Sequence, residues 1–255
     1  MQFKTEMDAK RVVGSRNIYY PPLEVSWDAI QNPLPLKHVQ PVRKHHGSHP
    51  APPWFRTGHN DQPFHFSEQM RALVADIACR FQPLAHIDVS RIIFAFSQAR
   101  NARNNGLQAR VTPLRFNDGE LVRLHRNIPY QVQRFYQEGQ EILYIVTFCL
   151  PRFLNRSFED KFVTIFHELF HISPLFNGDL RRHAGRYSIH TSCQKSYDRE
   201  MLEMARDYLQ NGANPHCQEF LRLNFLQLKD RHGSVVGHVV PRPKLIPILP
   251  RSKSL

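Results

Sequence analysis

At 255 residues the chain is long enough for one domain with a real core plus extensions, and two full domains are not expected. Its 34 Lys and Arg against 22 Asp and Glu give a net charge of +12, which fits an acidic partner such as nucleic acid, an anionic surface or an acidic protein about as well as a solvated basic surface. No run approaches the roughly eighteen apolar residues of a membrane span, and Cys79, Cys149, Cys193 and Cys217 form no CxxC pair, which argues against a zinc ribbon or a dense disulfide framework.

Met1 to Gly14 is polar and charged, so no secretory signal is expected and the cytoplasm is the simplest location. Residues 1–63 read as an extended arm. From Pro33 to Pro63 the chain is crowded with Pro, His and Gly, including Pro52-Pro53 and His45-His46, and has no sustained apolar period. His45, His46 and His49 have metal-ligand spacing, but a solvated loop is the better reading in so Pro-rich a setting; Tyr19-Tyr20 and Trp54-Phe55 would pin the arm to the domain.

The domain is expected over residues 64–230. Ser67 is placed to cap a helix reaching Phe81, with Met70, Leu73, Val74, Ile77 and Phe81 on one face. Ile92-Ile93-Phe94-Ala95-Phe96 reads as a buried strand. The turn signal Asp118-Gly119 predicts a hairpin between Leu107–Phe116 and Glu120–Leu124. Ile142–Leu150 is the strongest strand in the chain and ends at Pro151.

Ser157 and Asp160 form an N-cap pair ahead of Phe158, Phe162, Ile165, Phe166 and Leu169, an apolar stripe at helical spacing. Pro174 stops that helix. Near its end lies His167-Glu168-Leu169-Phe170-His171. Residues four apart share a helix face, so both imidazoles can hold one Zn²⁺, with Glu168 beside the ion to take a proton from an activated water. The competing reading is a buried helix with two hydrogen-bonded histidines. A strand immediately upstream matters for function, because a sheet edge near such a site can take an extended peptide by strand addition.

Further helices are expected from Tyr197 to Gln210 and around His216 to Gln227, separated by Asn211-Gly212 and Asn214-Pro215. Residues 231–255 form a basic tail without an acidic residue, in which Arg242, Lys244, Arg251 and Lys253 alternate with prolines. Such a tail suits a nucleic-acid phosphate backbone, another subunit or plain disorder.

A catalytic zinc usually has three protein ligands, so the five-residue motif is incomplete. Asn177 stands where the long zincin pattern would put a third His. His183 is the first candidate, because Gly178 permits a sharp turn back towards the helix. Glu203 is the second; its spacing to Asp207 also matches a later-helix ligand pair, although Arg199 and Arg206 could satisfy both carboxylates. Asp179 and His190 are weaker alternatives.

The run His167-Glu168-Leu169-Phe170-His171-Ile172-Ser173-Pro174, followed by Phe176-Asn177-Gly178-Asp179-Leu180-Arg181-Arg182-His183, resembles a metallopeptidase family of phages, archaea and bacteria, and more distantly the SprT-like proteases. The resemblance is close for about twenty residues and architectural over roughly 65–210. It implies a compact α+β zincin core with a small mixed sheet, His167, His171 and His183 as zinc ligands, and Glu168 as catalytic base. His183, Gly185 and Tyr187 would correspond to the later His, small residue and aromatic of the SprT-like layout. The expected activity is zinc-dependent hydrolysis of protein or peptide bonds, with Tyr187 or His190 as oxyanion donor. The alternative is a nucleic-acid-associated binding or regulatory protein with a structural or vestigial zinc site.

Overall fold

The computed structural model describes residues 11–13, 16–18, 21–42, 62–101, 106–182 and 194–248. Strands β1 (Arg11–Val13) and β2 (Arg16–Ile18) pair with each other. Strands β3 (Glu24–Trp27), β4 (Leu36–His38) and β5 (Phe64–His65) precede helix α1 (Phe66–Arg80). Next come β6 (Ile92–Gln98), β7 (Ala109–Pro113), β8 (Val122–His125), β9 (Ile128–Val132), β10 (Arg134–Gln137), β11 (Gln140–Ile142) and β12 (Tyr144–Leu150). Helices α2 (Phe158–Phe170), α3 (Gln194–Gln210), α4 (Pro215–Gln218) and α5 (Phe225–His232) follow, then β13 (Val235–His238) and β14 (Leu245–Pro247). The architecture is mixed α+β with several small sheets.

The sheet that positions the site has the order β6-β12-β7, with β6 parallel and β7 antiparallel to β12. Alternation along its strands sorts their side chains onto two faces. Ile92, Phe94, Phe96, Tyr144, Val146, Phe148 and Val111 point into the main core, which α1, α2 and α3 cover. Ile93, Ala95 and Ile145 point into a second core with Trp27, Val132 and Phe135. Each such large apolar side chain contributes about 1.5–3 kcal/mol when fully buried.

The expected strand Ile142–Leu150 divides at Leu143. Ile142 pairs in the β10–β11 hairpin, and the rest forms β12. With neighbours on both sides β12 is central, and the edge strands of this sheet are β6 and β7.

The expected hairpin around Asp118-Gly119 does not form. These residues do turn the chain, with φ of 60° and 82°, but β7 pairs with β12 while β8 pairs with β9. The long-range partner wins because it buries Val111 in the core. The tight hairpin turns lie instead at Arg126-Asn127 and Glu138-Gly139, where both central residues have positive φ.

Helix α1 starts slightly before the expected cap. His65 Nδ1 accepts the Glu68 N–H at 3.4 Å, and Ser67 Oγ instead accepts the His238 N–H at 2.9 Å. Within the expected arm, β3 pairs with β10 and β4 with β13, and Trp27 is buried. In the basic stretch, β14 pairs with β9, while Arg242 and Lys244 are exposed. Tyr19-Tyr20, His45, His46, His49, Trp54-Phe55, Cys193, Arg251 and Lys253 lie outside the described residues. No described helix is long and apolar enough to cross a membrane.

Lys161 is a buried cation in the first half of α2. Its Nζ donates to the Leu221 and Leu223 carbonyls at 2.8 and 2.7 Å, tying α2 to the turn before α5. Burial pushes its pKa down to about 7. Between about pH 7 and the unfolded value near 10.5, the unfolded chain therefore holds the extra proton, and stability rises with pH. Urea unfolding at pH 7.5, 8.5 and 9.5 should show this rise, with a slope of at most about 1.4 kcal/mol per pH unit. Lys161→Met should lower stability by leaving two carbonyls unpaired and flatten the slope; an equal slope in the variant would assign it to another group.

Candidate metal centre

Helix α2 is started by Ser157, whose Oγ accepts the Asp160 N–H at 3.1 Å, with Glu159 and Asp160 in the first turn, where the helix dipole favours negative charge. Phe162, Ile165, Phe166 and Leu169 bury one side of the helix in the main core. The helix ends at Phe170 and His171 is its C-cap. One turn therefore still joins the two histidines, and their rings meet edge to face with centroids 4.6 Å apart at 82°. His171 is buried and His167 half-buried.

Glu168 is buried too, only 8% exposed. Its Oε2 accepts the Val111 N–H at 2.7 Å, so the carboxylate is fastened to edge strand β7. Burial raises its pKa to about 7, against the Val111 hydrogen bond and the nearby Arg110 charge, which both lower it. A carboxyl poised near neutrality exchanges protons readily at physiological pH.

Helix α3 supplies a residue that sequence reasoning did not single out. Tyr197 lies edge-on to His167, with centroids 5.0 Å apart, and stacks on His171 at 6.2 Å and 21°. Its hydroxyl pKa is pushed up to about 12, chiefly by burial. Tyr197, Met201, Ala205 and Tyr208 form the buried stripe of α3, a helical period that was present in the sequence. The Tyr208 hydroxyl donates to Asp76 Oδ2 at 2.6 Å and so anchors α3 on α1.

After α2 the chain turns back sharply. Gly178 has φ of +87°, and a Cβ there would lie 2.5 Å from Arg115 Cγ, so both the turn and the close approach require glycine. The Gly178 N–H donates to the Tyr144 hydroxyl at 2.9 Å, and that hydroxyl donates to the Asp179 carbonyl at 2.8 Å. Ile172 bridges to Leu180, and the Arg181 N–H donates to the His171 carbonyl at 2.7 Å. The chain is thus back beside His171 at Arg181, two positions before His183.

His183, Tyr187 and His190 lie outside the described residues. Asp179 is engaged elsewhere: its carboxylate accepts the Asp118 and Leu180 N–H groups and pairs with Arg182, which orders the loop. Glu203 and Asp207 are exposed on α3, off the buried stripe that carries Tyr197. The pair His167 and His171, two imidazoles on one turn, is a donor set suited to zinc, and a third ligand from the returning loop would complete it. No family model, curated protein or solved structure matches the chain.

The Glu168–Val111 bond has a direct consequence for stability. Glu168→Gln keeps an acceptor for the Val111 N–H, whereas Glu168→Ala leaves a buried donor unpaired. Thermal or urea unfolding should find the Ala variant less stable than the Gln variant by about 1–3 kcal/mol. Equal stabilities would mean that water or another group replaces the carboxylate without loss.

Proposed function

We propose that the chain is a zinc-dependent peptide hydrolase, with His167, His171 and His183 as ligands and Glu168 as general base. The observation that carries this reading is a buried carboxyl with a pKa near 7, next in sequence to one of two adjoining imidazoles and fastened to an edge strand. The chemistry that zinc supplies when bound is acidification of a water and polarisation of a peptide carbonyl.

Glu168 would take the proton released by that water and pass it to the leaving amine. One of its oxygens is occupied by the Val111 N–H, which fixes the carboxylate's direction. Tyr197 closes one side of the imidazole pair and limits water there. The return of the loop to His171 at Arg181 favours His183 over Glu203 as third ligand.

Cleavage of casein and peptides tests the base. Glu168→Gln should retain zinc yet lower kcat by about 10²–10⁴-fold. Cleavage equal to wild type, with no zinc lost on replacing His167 and His171, would refute the enzyme. Zinc titration tests the third ligand: His183→Ala should weaken zinc binding at His167 and His171 at least about tenfold, and Glu203→Ala should leave it unchanged. The reverse result would move the site onto α3.

A further inference from the structure

A second group of metal-ligating side chains lies where β5, the start of α1 and β13 meet. The ligand atoms of His65, Glu68 and His238 all lie within 4.8 Å of one another. β5 runs parallel to β13 with His65 opposite Val236, so His238, two residues further along, projects from the same face as His65. The two rings sit 5.0 Å apart at 73°. Glu68 joins them from the first turn of α1.

We propose that His65, Glu68 and His238 bind a divalent ion of the zinc class, independent of the site on α2. Two imidazoles and a carboxylate are a borderline donor set that zinc accepts, with solvent completing the shell. Ligand atoms around a tetrahedral zinc stand about 3.3 Å apart, so closing from within 4.8 Å needs only side-chain adjustment of half-buried or exposed residues. The His65 Nδ1 contact with the Glu68 N–H is long at 3.4 Å and is surrendered at little cost.

The backbone beneath the cluster is held in place. Ser67 Oγ accepts the His238 N–H at 2.9 Å. At Gly237 a Cβ would lie 2.9 Å from the Phe96 ring and 3.2 Å from Ser67 Oγ, so glycine is what lets β13 lie so close. An adjoining cavity of about 10 Å³ is lined by Glu68, Arg71 and His238. Arg71 opposes a cation, but its flexible stem lets the guanidinium turn towards water. A bound ion would clamp β13, near the C-terminal end, onto the start of α1, and so act as a structural staple.

The test uses the full-length chain carrying His167→Ala and His171→Ala, stripped with chelator and titrated with Zn²⁺. It should bind an ion and unfold at a higher temperature with zinc than without. His65→Asn, which keeps a helix-capping acceptor while removing the imidazole, should weaken binding at least about tenfold, as should His238→Ala. Glu68→Gln should weaken it less, and replacing His45, His46 and His49 by Ala should leave it unchanged. No zinc binding in the double variant, or full binding in a folded protein lacking both His65 and His238, overturns the proposal. Because the α2 histidines are already removed, this outcome is independent of whether the hydrolase reading stands.

Discussion

One hydrogen bond joins the sheet to the candidate centre: the Val111 N–H donating to the buried carboxylate of Glu168 at 2.7 Å. It requires β7 to be an edge strand, because a second neighbour would take that N–H into its own ladder. It also requires α2 to lie against that edge with its apolar stripe in the core. Strand order, helix placement and carboxylate burial therefore stand or fall together. Removing the carboxylate from water raises its pKa towards neutrality, the range in which a base exchanges protons at physiological pH.

Two further polar anchors surround the bond. The Tyr144 hydroxyl, deep beneath the loop after α2, accepts the Gly178 N–H and donates to the Asp179 carbonyl, which sets where the returning chain meets His171. Asp76 on α1 receives the Tyr208 hydroxyl and the Asn214 N–H, which sets where α3 lies and so brings Tyr197 onto the two imidazoles. Tyr144 is fully buried and Asp76 half-buried, and both have partners. In the interior such groups resist displacement, because a lost partner costs desolvation that no water repays.

The sequence discloses local features far better than long-range ones. The α2 cap at Ser157 and its apolar stripe follow from spacing within one helix and match the structure; the helix stops earlier than expected, at Phe170, yet the rings of His167 and the C-cap His171 still meet across one turn. The glycine turn at Gly178 was also readable, because a sharp reversal needs a residue that tolerates positive φ. Strand partners were not. Asp118-Gly119 turns the chain without making a hairpin, because the core rewards β7 for joining β12 over 30 residues away in sequence. Ile142–Leu150 reads as one strand and serves two sheets: Ile142 pairs with Phe135, the chain from Tyr144 pairs with β6 and β7, and no composition signal marks the change of partner at Leu143. Tyr197 carried a helical period but nothing to show that its ring would meet the histidines, and His65 with His238 are separated by most of the domain.

In the proposed reading His167 and His171 hold a zinc ion beside Glu168. Anomalous scattering at the zinc edge from crystals grown with zinc tests this directly. The expected peak lies about 2.0–2.1 Å from one ring nitrogen of each of these histidines. A zinc-loaded crystal with no peak between the two imidazoles would contradict that reading.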